Sequence, residues 1–141
     1  MAEYEDLISA ADKDRERGFF KEAHIQYGTA LAAGGVRDYY CRHMRGLCAR
    51  RVSEQRLQKA VDQPERRQLF LNQAANWLAK SEANLDSAME HAPEAQRGHI
   101  RLDQARTEEA MGRFMVMSGG DPGRRLSAAR RYREEGLELL S

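Results

Sequence analysis

Gly18-Phe-Phe-Lys-Glu-Ala-His-Ile-Gln-Tyr-Gly-Thr-Ala-Leu31 decides the fold of this chain. Gly18 can end one helix in a conformation other residues avoid, Phe20 can open the next, and Ala23, Tyr27, Ala30 and Leu31 then recur at helical spacing. The stretch reads as the turn and second arm of a helix-turn-helix hairpin, its alanines leaving room for a second helix to approach closely. Leu7 and Ala10-Ala11, just upstream, supply the first arm.

The same punctuation continues outward. The prolines, Pro64, Pro93 and Pro122, each stand where a helix should begin, because a first-turn residue has no N–H to lose. With Gly34-Gly35 closing the second helix, the expected helices run near residues 3–17, 20–33, 36–60, 64–91, 94–118 and 122–140. Asp121 before Pro122 can cap the last of them. Leu71, Ala74, Leu78, Leu85 and Met89 form one stripe of the fourth helix, and Leu126, Ala129, Tyr132, Gly136 and Leu140 one stripe of the sixth. The fifth is apolar on two sides, Met111, Phe114 and Met115 alongside Leu102, Ala105, Gly112 and Val116, as suits a helix packed between neighbours. No segment alternates like a strand, and Val, Ile and Thr are few. The expected fold class is all-α, about six antiparallel helices in three hairpins.

At 141 residues the chain has one domain's length, so residues 1–141 are read as a single helical domain. Hydrophobic residues at 41% and charged residues at 32% rule out a disordered tail. A formal net charge of +1 gives no electrostatic case for nucleic acid. The acidic start Met1-Ala-Glu-Tyr-Glu-Asp6 lacks the apolar core of a signal peptide, and no apolar run approaches the roughly 18 residues of a membrane span, so a cytoplasmic protein without membrane contact is expected. Cys41 and Cys48 fall about 10 Å apart if both lie on one helix, beyond disulfide reach, and with Met44 they read as reduced core residues.

The first two helices resemble the tetratricopeptide repeat (TPR), with Leu7 and Ala10-Ala11 in the first arm, Gly18 and Phe20 at the turn, and Ala23, Tyr27, Ala30 and Leu31 in the second; Gly35 replaces the usual final Pro. The last pair returns to the pattern, with Met111-Gly112 at the crossing, Gly119 at the turn, then Ala129, Tyr132, Gly136 and Leu137. The middle pair departs from it. Gly46-Leu47, Leu85, Ala88-Met89 and Pro93 fit, but the span between them exceeds a repeat of about 34 residues. Ala11, Asp14, Gly18, Phe20, Glu22, Ala23 and Tyr27 are also compatible with a microtubule-interacting-and-transport-like module, a three-helix unit that leaves the last three helices unexplained.

The TPR resemblance implies a TPR-like bundle or short right-handed solenoid whose first helices line a groove for a protein or peptide. On this chain the lining residues would be Ile8, Asp12 and Arg15, then His43, Leu47 and Arg50, then Glu109, Arg113 and Val116. The TPR clamp for C-terminal carboxylates needs Lys and Asn where Ile8 and Asp12 stand, so that ligand is not implied. Arginines suit an acidic partner. A second copy of the chain is another candidate, since a short array leaves an apolar end exposed.

Other chemistry finds little support. His24, His43, His91 and His99 lie at mixed helical phases without metal-ligand spacing, so neither a metal nor a cofactor is expected. Ser118 to Gly123 lacks the spacing of a phosphate loop and reads as a turn. Glu108-Glu109 and Glu134-Glu135 splay as solvated surface. The arginines cluster at Arg42, Arg45, Arg50 and Arg51 and again at Arg124, Arg125, Arg130, Arg131 and Arg133, with Glu134 and Glu135 placed to pair with Arg130 and Arg131. Phe70, Leu71 and Trp77 are candidates for an apolar contact patch, core burial of at least two being the simpler reading. The expected function is a non-catalytic adaptor or scaffold. Its rivals are an arginine-mediated nucleic-acid binder and a ligand-binding bundle or small enzyme built around His43, Cys48 and His99.

Overall fold

The computed structural model describes residues 2–141, so Met1, the first residue of the acidic start, lies outside them. Six α-helices follow one another: α1 Ala2–Glu16, α2 Phe20–Ala33, α3 Asp38–Asp62, α4 Arg67–His91, α5 Glu94–Met117 and α6 Gly123–Leu140. No strand occurs among the described residues. Each helix packs on the next in sequence, most extensively α3 on α4 and α5 on α6, and α3 also reaches α5.

Local chemistry sets the joints. Gly18 and Gly34 follow α1 and α2 at φ 85° and 77°, a left-handed conformation that costs a side-chain-bearing residue energy. The third helix starts at Asp38 rather than at residue 36, because Tyr4 and Asp38 organise the preceding turn. Tyr4 Oη donates to Asp38 Oδ1 at 3.0 Å and accepts the Arg37 N–H at 2.9 Å, while Asp38 Oδ1 takes the Gly35 N–H at 3.1 Å. Pro64 opens a single 3₁₀ turn, Pro64–Arg66, instead of α4 itself. Proline excludes the helical region for Gln63, which sits at φ −127° and ψ 74°, and the chain needs a turn to re-enter the helix. Pro122 rather than Asp121 is the N-cap of α6, which begins one residue later than expected; Asp121 Oδ1 instead accepts the Gly123 N–H at 2.9 Å in the turn before the helix.

The core is alanine-rich and runs along the helix seams. Tyr4, Ile8, Ala11, Ala23, Tyr27, Ala30, Cys41 and Cys48 join α1, α2 and α3. Leu57, Ala60, Phe70, Leu71 and Ala74 join the C-terminal half of α3 to the N-terminal half of α4, and Leu85, Ala88, Ala92 and Ile100 join α4 to α5. Small residues let backbones approach. A Cβ on Gly46 would stand 2.7 Å from Leu85 Cγ and 3.2 Å from the Ser81 carbonyl, as the Gly46-Leu47 reading anticipates. In the last pair the tightest crossing is Gly98 on Gly136, each 3.0 Å by this measure from the other's carbonyl oxygen, whereas Gly112 meets only Leu126 and Pro122 side chains. The predicted stripe of α6 is buried only at Ala129 and Gly136, with Tyr132 half-buried; Leu126 and Leu140 are exposed.

Candidate arginine-lined cavity

A cavity of about 650 Å³, open to solvent, is lined by the C-terminal end of α1, by α3 and by one residue of α5. Arg15 comes from α1, Arg17 and Gly18 from the turn after it, Phe20 from the start of α2, Leu47, Arg50 and Arg51 from α3, and Arg106 from α5. Glu16 is the single carboxylate among the lining residues. The helical period explains the α3 contribution: Leu47 and Arg50 are one turn apart, and Arg51 follows at i+4.

Carboxylates behind the wall hold these guanidinium groups in place. Asp103 of α5, 4% exposed, accepts from Arg106 Nη1 at 3.0 Å, from Arg50 Nη2 at 3.5 Å, and lies 2.6 Å from His43 Nε2. Burial works against the Asp103 charge, but the His43 contact and the two arginines outweigh it and hold its carboxyl below the ordinary range. Glu54 receives Arg50 Nη1 and Arg51 Nε, each at 3.3 Å. The Arg51 guanidinium also lies over the Phe20 ring, 4.8 Å from its centroid. The Nε–H of Arg50, a residue only 7% exposed, has no partner.

On the α1 side, Asp12 Oδ1 accepts from Tyr27 Oη and, at 2.7 Å, from Tyr40 Oη; Arg15 Nε donates to Tyr27 Oη at 3.1 Å. Burial first and the Asp12 bond second push the Tyr27 hydroxyl pKa up, so it stays protonated and keeps donating. This knot joins α1, α2 and α3, and fixes the angle at which Arg15 enters the cavity.

The expected groove residues thus divide. Arg15, Leu47 and Arg50 line the cavity together. Ile8 does not: it is 1% exposed and packs in the α1–α3 core, because it shares a stripe with Tyr4 and Ala11. Asp12 is absent from the lining and takes the two tyrosine hydroxyls. His43 is buried against Asp103. Glu109, Arg113 and Val116 continue the row begun by Arg106 along α5 but are not among the residues that line the cavity. Glu109 pairs with Arg133, Arg113 reaches Gln58 at 3.5 Å, and Val116 faces solvent.

Other expectations change as well. Glu108 is buried rather than solvated, its charge met by Arg125 at 3.3 Å. Neither Arg130–Glu134 nor Arg131–Glu135 forms: Glu135 pairs instead with Arg101 at 3.2 Å, and Arg131 lies over Tyr132. Phe70 and Leu71 are core residues, while half-buried Trp77 meets the His24 ring edge-on at 5.0 Å. Cys48 and His43 belong to different packing seams and His99 is exposed, so these three do not converge. Burial raises the Cys41 and Cys48 thiols to about 11 and about 12, which keeps both as unreactive thiols. Among the described residues no three His, Cys, Asp or Glu side chains gather to hold a metal ion, and no helix is long and apolar enough to cross a membrane.

Asp103 and Arg106 escaped the sequence reading. Their signal was a charged residue inside an apolar row, Ile100, Asp103, Thr107 and Ala110, with an arginine one turn later.

No family model matches the chain, and no curated protein or solved structure matches it either. The chemistry of the cavity is therefore the ground for a functional reading.

Proposed function

We propose that this chain is a TPR-like adaptor of three helical hairpins that binds an acidic protein or peptide segment across α1, α3 and α5, without catalysis. The observation that carries the reading is the cavity: first-arm residues Arg15, Leu47 and Arg50 share it with Arg106, as a groove lined by the first helix of each hairpin requires. The packing of α3 on α4 and of α5 on α6, more extensive than that of α4 on α5, supports the hairpin description for those two pairs. Five arginines against one carboxylate on the lining favour a negatively charged ligand, and Leu47 and Phe20 give its aliphatic portions something to bury against. Free buried cysteines suit a reducing, cytoplasmic setting.

The test uses Arg51 and Arg106, because both are exposed, whereas Arg50 and Asp12 are tied into the networks beneath the cavity; circular dichroism confirms the fold of each variant. Fluorescent Glu-rich peptides should bind the full chain in a salt-sensitive manner, and Arg51→Glu with Arg106→Glu should weaken binding about tenfold or more. Absence of binding, or binding indifferent to both reversals, removes the reading.

A second reading, arginine-mediated nucleic-acid binding, draws on α6, where Arg124 and Arg130 are exposed and form no ion pair among the described residues. Binding of single-stranded oligonucleotides that falls on Arg124→Glu and Arg130→Glu, and not on the cavity variants, would favour it.

A further inference from the structure

We propose that the cavity contains a subsite for a doubly charged phosphate group, carried on a phosphorylated side chain or free, gripped between Arg51 of α3 and Arg106 of α5 with Arg50 behind them. This rests on the reading of the α1, α3 and α5 face as a ligand-binding face and specifies what that face prefers.

The geometry separates a phosphate from a carboxylate. A carboxylate presents two oxygens in one plane and one charge, which a single guanidinium fork satisfies. A phosphoryl group presents three acceptor oxygens around a tetrahedral centre and about −1.5 to −2 charge at neutral pH, which several forks can reach from different sides. Here the guanidinium groups arrive from separate elements: Arg15 from α1, Arg17 from the following turn, Arg50 and Arg51 from α3, Arg106 from α5. They come from three helices and a turn rather than from one helix.

Pre-organisation points the same way. Asp103 and Glu54 stand behind the arginines and fix them, using only part of each donor set: Arg106 gives one bond at 3.0 Å, and the Arg50 contacts are long, 3.3 to 3.5 Å. Each guanidinium carries five N–H donors, so most remain available. Arg50, which lines the cavity, has a buried Nε–H without an acceptor in the protein, as Arg45 and Arg56 do, so Asp103 and Glu54 do not saturate its guanidinium. A nucleic-acid phosphodiester, with one charge and two free oxygens, is the poorer fit.

The experiment follows the arginine Nε–H resonances of the ¹⁵N-labelled full chain at neutral pH and constant ionic strength. The probes are inorganic phosphate, a short alanine peptide with a central phosphoserine, the same peptide with glutamate in its place, and a single-stranded oligonucleotide. Expected are saturable shifts at Arg50, Arg51 and Arg106 with phosphate and phosphopeptide, at least about tenfold tighter than with the glutamate peptide. Arg51→Gln and Arg106→Gln should abolish them, and Arg51→Lys, which keeps charge and helix but loses the fork, should weaken them; circular dichroism confirms the fold of each variant. Tighter binding of the phosphopeptide than of phosphate assigns the source to a protein, and equal binding to a small phosphate; both support the subsite.

Equal binding of the glutamate and phosphoserine peptides overturns the subsite while leaving the acidic-partner reading standing. Preference for the oligonucleotide overturns it too. Saturable phosphate binding with no response to any peptide upholds the subsite and removes the adaptor.

Discussion

Nε2 of His43 on α3 stands 2.6 Å from Oδ2 of Asp103 on α5, sixty positions further along the chain. Because Arg50 and Arg106 converge on the same carboxylate, Asp103 is the hub that joins α3 to α5 beneath the cavity. Asp103→Asn removes the charge at nearly constant shape and leaves Arg50, 7% exposed, beside a neutral amide. The expected cost is about 3–5 kcal/mol, the range for breaking a buried pair on one side. Urea denaturation measures it, and a loss below about 1 kcal/mol would show that the network is not holding the helices together.

Acid should weaken the fold through His24. Burial first, then the nearby positive charges of Arg45 and Lys80, lower this imidazole from 6.5 to about 4. The folded chain thus resists a proton that the unfolded chain accepts. Stability is complete above pH 6.5 and declines as pH falls towards about 4, by about 3 kcal/mol in total. Asp103 adds to this only lower down: its carboxyl is held below its usual 3.8, so its share is present above that pH and is lost as pH falls through the lower folded value. Trp77, the single tryptophan, touches His24 and reports the transition by fluorescence. In His24→Leu the slope between pH 6.5 and 4 should flatten, and an unchanged slope would place the acid sensitivity elsewhere.

The fold was readable because its punctuation is chemical and local. Gly18 and Gly34 take backbone angles few residues tolerate, and Pro93 stands at the end of a helix that cannot pass it. The site was less readable because register along a helix does not say what lies opposite. Arg15, Leu47 and Arg50 line the cavity together; Ile8, two turns before Arg15 in the same row, points into the core with Tyr4 and Ala11. Asp103 belongs to an apolar row by spacing and to the site by contact. Only the meeting of α3 with α5, which no local pattern encodes, makes it a partner of His43 and Arg50.

Tyr4 and Gly35 should prove energetically coupled. A Cβ at Gly35 would run into Tyr4 Cζ, and the ring cannot retreat without giving up its bonds to Asp38 and the Arg37 N–H. Gly35→Ala should therefore cost about 1–3 kcal/mol by overpacking, and Tyr4→Phe about 1 kcal/mol for its lost hydrogen bonds. Adding Gly35→Ala to a Tyr4→Ala background, where the ring is gone, should cost much less than in the parent chain. Additive costs in this double-mutant cycle would mean that the ring does not enforce glycine at position 35.

The crossing of α5 and α6 depends on two glycines in contact. Gly98 and Gly136 each leave space for the other's carbonyl, with Leu140 and Leu102 packed on the flanks. A valine at either place sets methyl groups against backbone, which cannot rotate aside as a side chain can. Gly98→Val should push α6 off α5 at its C-terminal end, and with it the Arg101–Glu135 pair at 3.2 Å, while the pairing of α1 with α2 and α3 is untouched. Hydrogen exchange resolves the two regions: faster exchange confined to α6 and the N-terminal half of α5 is expected, at a cost of about 1–3 kcal/mol where global stability is measured. The cavity itself, built from α1, α3 and Arg106, should keep its ligand affinity in this variant, because Gly98 lies two turns away from Arg106 along α5. Uniform acceleration across all six helices would instead mean that α6 is an integral part of one cooperative unit with the cavity.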